Sequence, residues 1–128
     1  MLLALSLPMA AVAEEKGEEA PKVAYITLNP PLVGNYALDG STKLRVYKAD
    51  VALRVTGDEA ARAVRHHEPL IRNQLVALFT QQSVDTMGNV EAKEKLRQEA
   101  LKQTQQVLND EAGKPIVEDL LFNNLIVQ

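Results

Sequence analysis

His66 and His67 stand side by side and are the most site-like pair in the chain. Consecutive side chains on a helix point about 100° apart, so two adjacent imidazoles do not converge on one metal ion. The positions one turn away offer no further ligand: Arg62 and Leu70 flank His66, and Ala63 and Ile71 flank His67. Histidines near a helix C-terminus complement the negative end of its dipole, which accounts for the pair without a metal. Glu118 and Asp119 are neighbours on an expected strand and face opposite ways. Glu91, Glu94 and Glu99 are interleaved with lysines and an arginine, the pattern of a solvated helix face with weak ion pairs.

Nucleophilic and metal chemistry fare no better. Asp39-Gly40-Ser41 has the look of a calcium turn, but the spaced acidic ligands of such a loop are absent. Ser6 and Ser41 have no base near them in sequence. The chain holds no G-x-S-x-G, no phosphate-cradling glycine loop and no His-Glu-x-x-His. Expected catalytic, cofactor-binding and metal-ligating residues are therefore none, and no cofactor is implied.

Composition narrows the field further. With 128 residues, 46% hydrophobic and 24% charged, the chain suits one globular domain with a real core. Aromatics are 4% and Trp is absent, so that core is mostly Leu, Val, Ile and Ala. A formal charge of −3 gives no electrostatic reason to expect nucleic acid as a partner. The lack of cysteine removes disulfides, thiolate metal sites and cysteine nucleophiles together. Arg45, Lys48, Arg54, Arg62, Arg65 and Arg72 give the middle of the chain a basic bias, while acidic residues gather in the leader and the C-terminal third. Mixed surface charge is the simple reading; head-to-tail association of basic against acidic flank, closing a ring, is the other.

The N-terminus reads as an export signal. Met1–Ala13 is an uncharged apolar run, Ala11-Val12-Ala13 has the small-x-small form of a cleavage site, and the charged stretch Glu14–Glu19 follows at once. Thirteen residues make roughly 20 Å of helix, short of a ~30 Å hydrocarbon core. No Lys or Arg precedes the run, and Pro8 argues against a buried helix there. Residues 1–13 are thus expected to be a signal peptide, 14–21 a flexible leader and 22–128 the folded domain.

Within that domain, Lys22–Leu28 alternates as a strand, and Asn29–Thr42, rich in Pro, Gly, Asn and Asp, reads as an extended loop or loose hairpin connection. Lys43–Val55 is a second strand whose apolar phase shifts, predicting a β-bulge or sharp twist near Val46-Tyr47 unless both faces are covered. Thr56 with Glu59 forms a capping-box pattern for a first helix, with Asp58 as a rival cap. Pro69 opens a second helix whose stripe is Ile71, Leu75, Leu78 and Phe79; Ser83–Gly88 is a connector. A long third helix from about Asn89 to Asp110 buries Leu96, Ala100, Thr104, Val107 and Leu108, and Gly113 and Pro115 end it. The terminal strand Ile116–Gln128 carries apolar residues in both alternating sets, which requires cover on both faces. The result is an α+β domain, with a small antiparallel or mixed sheet of about three strands and three helices on one face.

Taken in order, several stretches are similar to the flagellar basal-body-associated FliL family. They are Tyr25-Ile26-Thr27-Leu28-Asn29-Pro30, the strand Leu44–Val55, Glu68-Pro69-Leu70-Ile71-Arg72-Asn73, Leu96-Arg97-Gln98-Glu99, and the closing Phe122–Gln128 with Leu125 at a usually aromatic position. The resemblance covers about Lys22 to the end. It implies a compact periplasmic domain likened to that of stomatin-type scaffolds, no enzymatic activity and no mapped site residues. Its implied partners are flagellar stator or basal-body proteins near the inner membrane, with ring-forming self-association. Typical members carry a full transmembrane helix, where this chain has a short run with a cleavage site. That departure makes it look like a soluble periplasmic paralogue. A periplasmic scaffold or binding protein of the same fold, away from the flagellum, is the alternative.

Overall fold

The computed structural model describes residues 20–38 and 43–128. The expected signal, most of the leader, and the Asp39-Gly40-Ser41 turn lie outside them. The elements are β1 (Val23–Thr27), β2 (Leu32–Tyr36), β3 (Arg45–Thr56), α1 (Asp58–His66), α2 (Glu68–Thr80), α3 (Val84–Met87), α4 (Val90–Ala112) and β4 (Asp119–Val127).

The long strand β3 is bonded antiparallel to all three others. Lys48 and Ala49 pair with both β2 and β4, while Ala52–Arg54 pair with both β1 and β4. A strand has two edges, so β1 and β2 must lie end to end along one of them, opposite β4. The sheet is thus three strands wide and, among the described residues, four in number. Expected as about three strands with three helices, the described residues form four of each, because β2 and the short α3 lie in segments that read as loop and connector.

The reason β2 does not show in the sequence is local. Gly34 and Asn35 look like a turn, yet both serve the sheet. A Cβ on Gly34 would lie 2.8 Å from the Tyr47 hydroxyl oxygen and 2.9 Å from its ring, so the bare glycine lets the Tyr47 ring pack beneath it. Asn35 donates its amide N–H to the Arg45 carbonyl at 3.1 Å. Gly34→Ala is accordingly expected to cost about 1–3 kcal/mol by overpacking, read as a lower urea midpoint at unchanged slope. α3 is set by a reciprocal capping box between Ser83 and Thr86.

Alternate residues of β3, namely Tyr47, Ala49, Val51, Leu53 and Val55, are fully buried against the helices. There they meet Val64 of α1, Ile71, Leu75 and Phe79 of α2, and Leu96, Ala100 and Leu108 of α4 in one core. Phe79 is its aromatic hub, with ring centroids 5.1 Å from Tyr47 and 5.9 Å from Phe122. Val46 does not shift phase; it lies on the sheet's other face, 36% exposed, and Leu44, 71% exposed, precedes the strand. The bulge expected at Val46-Tyr47 is therefore absent from β3.

It occurs in β4 instead. Asp50 pairs with Asn124 and Val51 with Phe122, leaving Asn123 without an opposite residue. That one extra residue turns Leu120 and Phe122, and after it Leu125 and Val127, toward the same helix-covered face, opposite Leu53, Val51, Ala49 and Tyr47. The two apolar sets of the sequence are mostly one face. Only Leu121 and Ile126 remain on the other side, so the strand does not need full cover on both.

Two expected boundaries also move. The α1 N-cap is Gly57, with no side-chain cap; the Thr56 hydroxyl donates instead to Glu118, just before the neighbouring strand. β4 begins at Asp119 rather than Ile116, because Ile116 holds φ at +56° and interrupts the extended chain. At the other end of that connection, α4 behaves as the sequence dictates. Asn89 caps it by accepting from the Ala92 amide at 2.8 Å, and Gly113 closes it at φ +78°.

Candidate functional site

α1 ends and α2 begins at the histidine pair. His67 is both the C-cap of the first helix and the N-cap of the second. The two rings meet edge to face, centroids 4.8 Å apart. No group of three or more His, Asp, Cys or Glu residues could hold a metal ion among the described residues. Glu118 and Asp119 are separated by the structure as well. Glu118 takes the Thr56 hydroxyl and faces Arg54 at 3.6 Å, while Asp119 turns to α4. The Asp39-Gly40-Ser41 motif and Ser6 fall outside the described residues.

Polar chemistry concentrates at the seam between α4 and β4, around Arg97. Its guanidinium grips Glu94 with two parallel bonds, Nε to Oε2 at 2.9 Å and Nη2 to Oε1 at 2.6 Å. The remaining Nη1 donates to Asp119 Oδ1 at 2.7 Å and to the Leu120 carbonyl at 3.0 Å. Asp119 Oδ1 in turn accepts the Leu120 amide at 2.8 Å. Glu94, Arg97, Asp119 and Leu120 are thereby locked into one fork, and Arg97 stays protonated at every pH the fold tolerates. The stretch Leu96-Arg97-Gln98-Glu99 is recognisable in the sequence but gives no sign of this role. The partner Asp119 sits on another element, beyond the end of α4.

Glu94 reports on the same fork. The hydrogen bond from Arg97, more than any other influence, holds its carboxyl below the ordinary value of 4.5. Its folded pKa lies under the unfolded one, so the stabilisation is complete above about pH 4.5 and is lost as pH falls through the folded value. Glu94→Gln is expected to flatten the acid limb of a urea-midpoint-against-pH curve below about pH 4.5 while leaving its neutral limb in shape.

Tyr47 is perturbed as well. Burial pushes its phenol up; the Thr80 hydroxyl opposes this in part but is not in hydrogen-bonding geometry. A hydroxyl buried without a bond marks Tyr47→Phe as neutral or stabilising.

The sheet face away from the helices has no element packed on it among the described residues. Val33, Lys48 and Ile126 form one row across it; Tyr25 and Arg54 pair in another. Val23, Tyr25 and Val33 are about half exposed or more, at 49%, 55% and 61%. Ala52 is buried there among its cross-strand neighbours, apart from the main core. Such a surface suits contact with another macromolecule better than turnover of a small molecule.

The model of the family described as flagellar basal body-associated protein FliL matches residues 25–128. The flagellar protein FliL of Aquifex aeolicus (strain VF5) is 29% identical over 117 residues, covering 86% of this chain and 68% of that protein. The match runs from the middle of β1 through the whole helical layer to the last residue of the sheet, taking in every element that builds the α4–β4 seam. The chain belongs to the FliL family of flagellar basal body-associated proteins.

Proposed function

We propose that this protein is a non-enzymatic structural accessory of the flagellar motor, supporting motility through contact with the stator or basal body. In this reading residues 1–13 are a cleaved export signal, 14–21 a flexible leader, and 22–128 a domain working in the periplasm beside the inner membrane. The observation that carries it is the family match over nearly the entire folded domain, 25–128. The uncovered sheet face and the basic-to-acidic asymmetry of the chain support association, including head-to-tail self-assembly into a ring. Stomatin-type scaffolds give the likeness for that arrangement.

A deletion strain tests it. Swimming and swarming are compared in normal and viscous medium, with flagella counted. Motility that falls more steeply with viscosity, at normal filament number, is the expected result. Unchanged motility in every medium rejects the motor role. It leaves the second reading, a periplasmic scaffold of the same fold away from the flagellum.

A further inference from the structure

A sheet three strands wide has two outer edges, and their unpaired main-chain groups are templates for another strand unless something covers them. The β1–β2 edge is interrupted by Pro30 and Pro31, which have no N–H, and Arg72 occupies the Pro30 carbonyl at 2.6 Å. The first part of the β4 edge is closed by side chains. Gln105 donates to the Val117 carbonyl at 2.8 Å, and Arg97 and Asp119 take the carbonyl and amide of Leu120.

Beyond the Asn123 bulge the situation changes. Val46 and Gln128 exchange both main-chain bonds, at 3.2 and 2.9 Å. Antiparallel alternation therefore turns the amides and carbonyls of Leu125 and Val127 away from β3. No side chain meets them among the described residues.

A cleft of about 700 Å³ runs beside this open stretch, between β4 and the first turns of α4; Val90, Lys93, Glu94, Phe122 and Leu125 are among its lining residues. Val90 is 84% exposed at its mouth. Glu94 and Arg97 are engaged with each other. Lys93 is half-buried, and its ammonium has no hydrogen-bond or ion-pair partner among the described residues. Within that described part of the chain, the free charge of the cleft is one cation.

We propose that the Leu125–Val127 edge accepts an extended segment of a partner polypeptide as a further strand, with apolar residues toward Val90 and Leu125 and a carboxylate on Lys93. Main-chain bonds supply the attachment, and Lys93 with the apolar cleft wall supplies selectivity. The proposal goes beyond the motor reading and does not depend on it. Motility of the deletion strain decides the one, and binding by the purified protein decides the other.

The probe is a blocked peptide of about nine residues, alternating Val with Thr or Ser and carrying one central Glu, a length typical of strands. Saturating peptide is expected to slow amide exchange at Leu125 and Val127 in the isotope-labelled protein. Lys93→Glu should weaken binding about tenfold and a Lys-for-Glu peptide should restore it. The change lies in the first turn of α4, where a carboxylate suits the helix dipole, so the fold is kept. A peptide N-methylated on the bonding edge leaves the protein unaltered and should not bind. Equal binding of the methylated peptide, no loss in Lys93→Glu, or no protection of the two amides overturns the proposal. So does protection of the same amides by rising protein concentration alone, which would assign the edge to a second copy of this chain.

Discussion

Phe79→Ala is expected to be the most damaging single truncation in the domain, costing about 3–5 kcal/mol. Phe79 is fully buried on α2 and touches both Tyr47 of the central strand and Phe122 just before the bulge. Its loss leaves a cavity where helix layer and sheet meet, and neither aromatic neighbour can close it. Tyr47 is held by Gly34 above it, and Phe122 by the register of β4. Against a typical stability of about 5–15 kcal/mol, such a loss removes a third or more of the total. Urea melts followed by far-UV circular dichroism check this. Phe79→Leu is the control: it keeps most of the volume and should lose well under half as much.

Removing Arg97 is the second large effect. Arg97→Ala is expected to cost about 2 kcal/mol, less than a fully buried fork because water reaches part of the side chain. Two consequences separate this from simple loss of packing. First, Asp119 keeps its bond to Leu120 while the Leu120 carbonyl is left open at the strand edge. Exchange at β4 should then rise well above that at β1. Second, the Arg97→Ala and Asp119→Asn changes should be non-additive, since they share one contact at 2.7 Å. Additive losses, or an unchanged exchange pattern along β4, would mean that the fork does not hold the seam.

Both predictions rest on contacts that only the folded chain creates, whereas the elements themselves are largely legible in the sequence. The stripe Ile71, Leu75, Leu78 and Phe79 declares α2. Asn89 and Gly113 declare the two ends of α4. The alternation Tyr47, Ala49, Val51, Leu53 and Val55 declares the buried face of β3. These signals are local: periodicity and capping act within one or two turns, so they can be read without knowing what lies far along the chain. Family resemblance rests on the same stretches.

What the sequence determined by itself is therefore the α+β class, the long central strand, the principal helices and their buried faces, and the family. Tertiary structure decided the rest. Gly34 is turn-like in isolation, and it is a strand residue because Tyr47 needs the space under it. Thr56 looks like a helix cap and bonds across to Glu118. The phase conflict between the apolar sets of Leu120–Val127 is resolved by one unpaired residue, Asn123, whose position depends on how β4 meets β3. Arg97 finds Asp119, and Lys93 lies beside an open edge. Each of these outcomes is a competition between a local preference of about 1 kcal/mol and long-range packing or pairing of similar or greater size. The long-range side of that competition depends on distances between segments, and a chain read in order does not contain them.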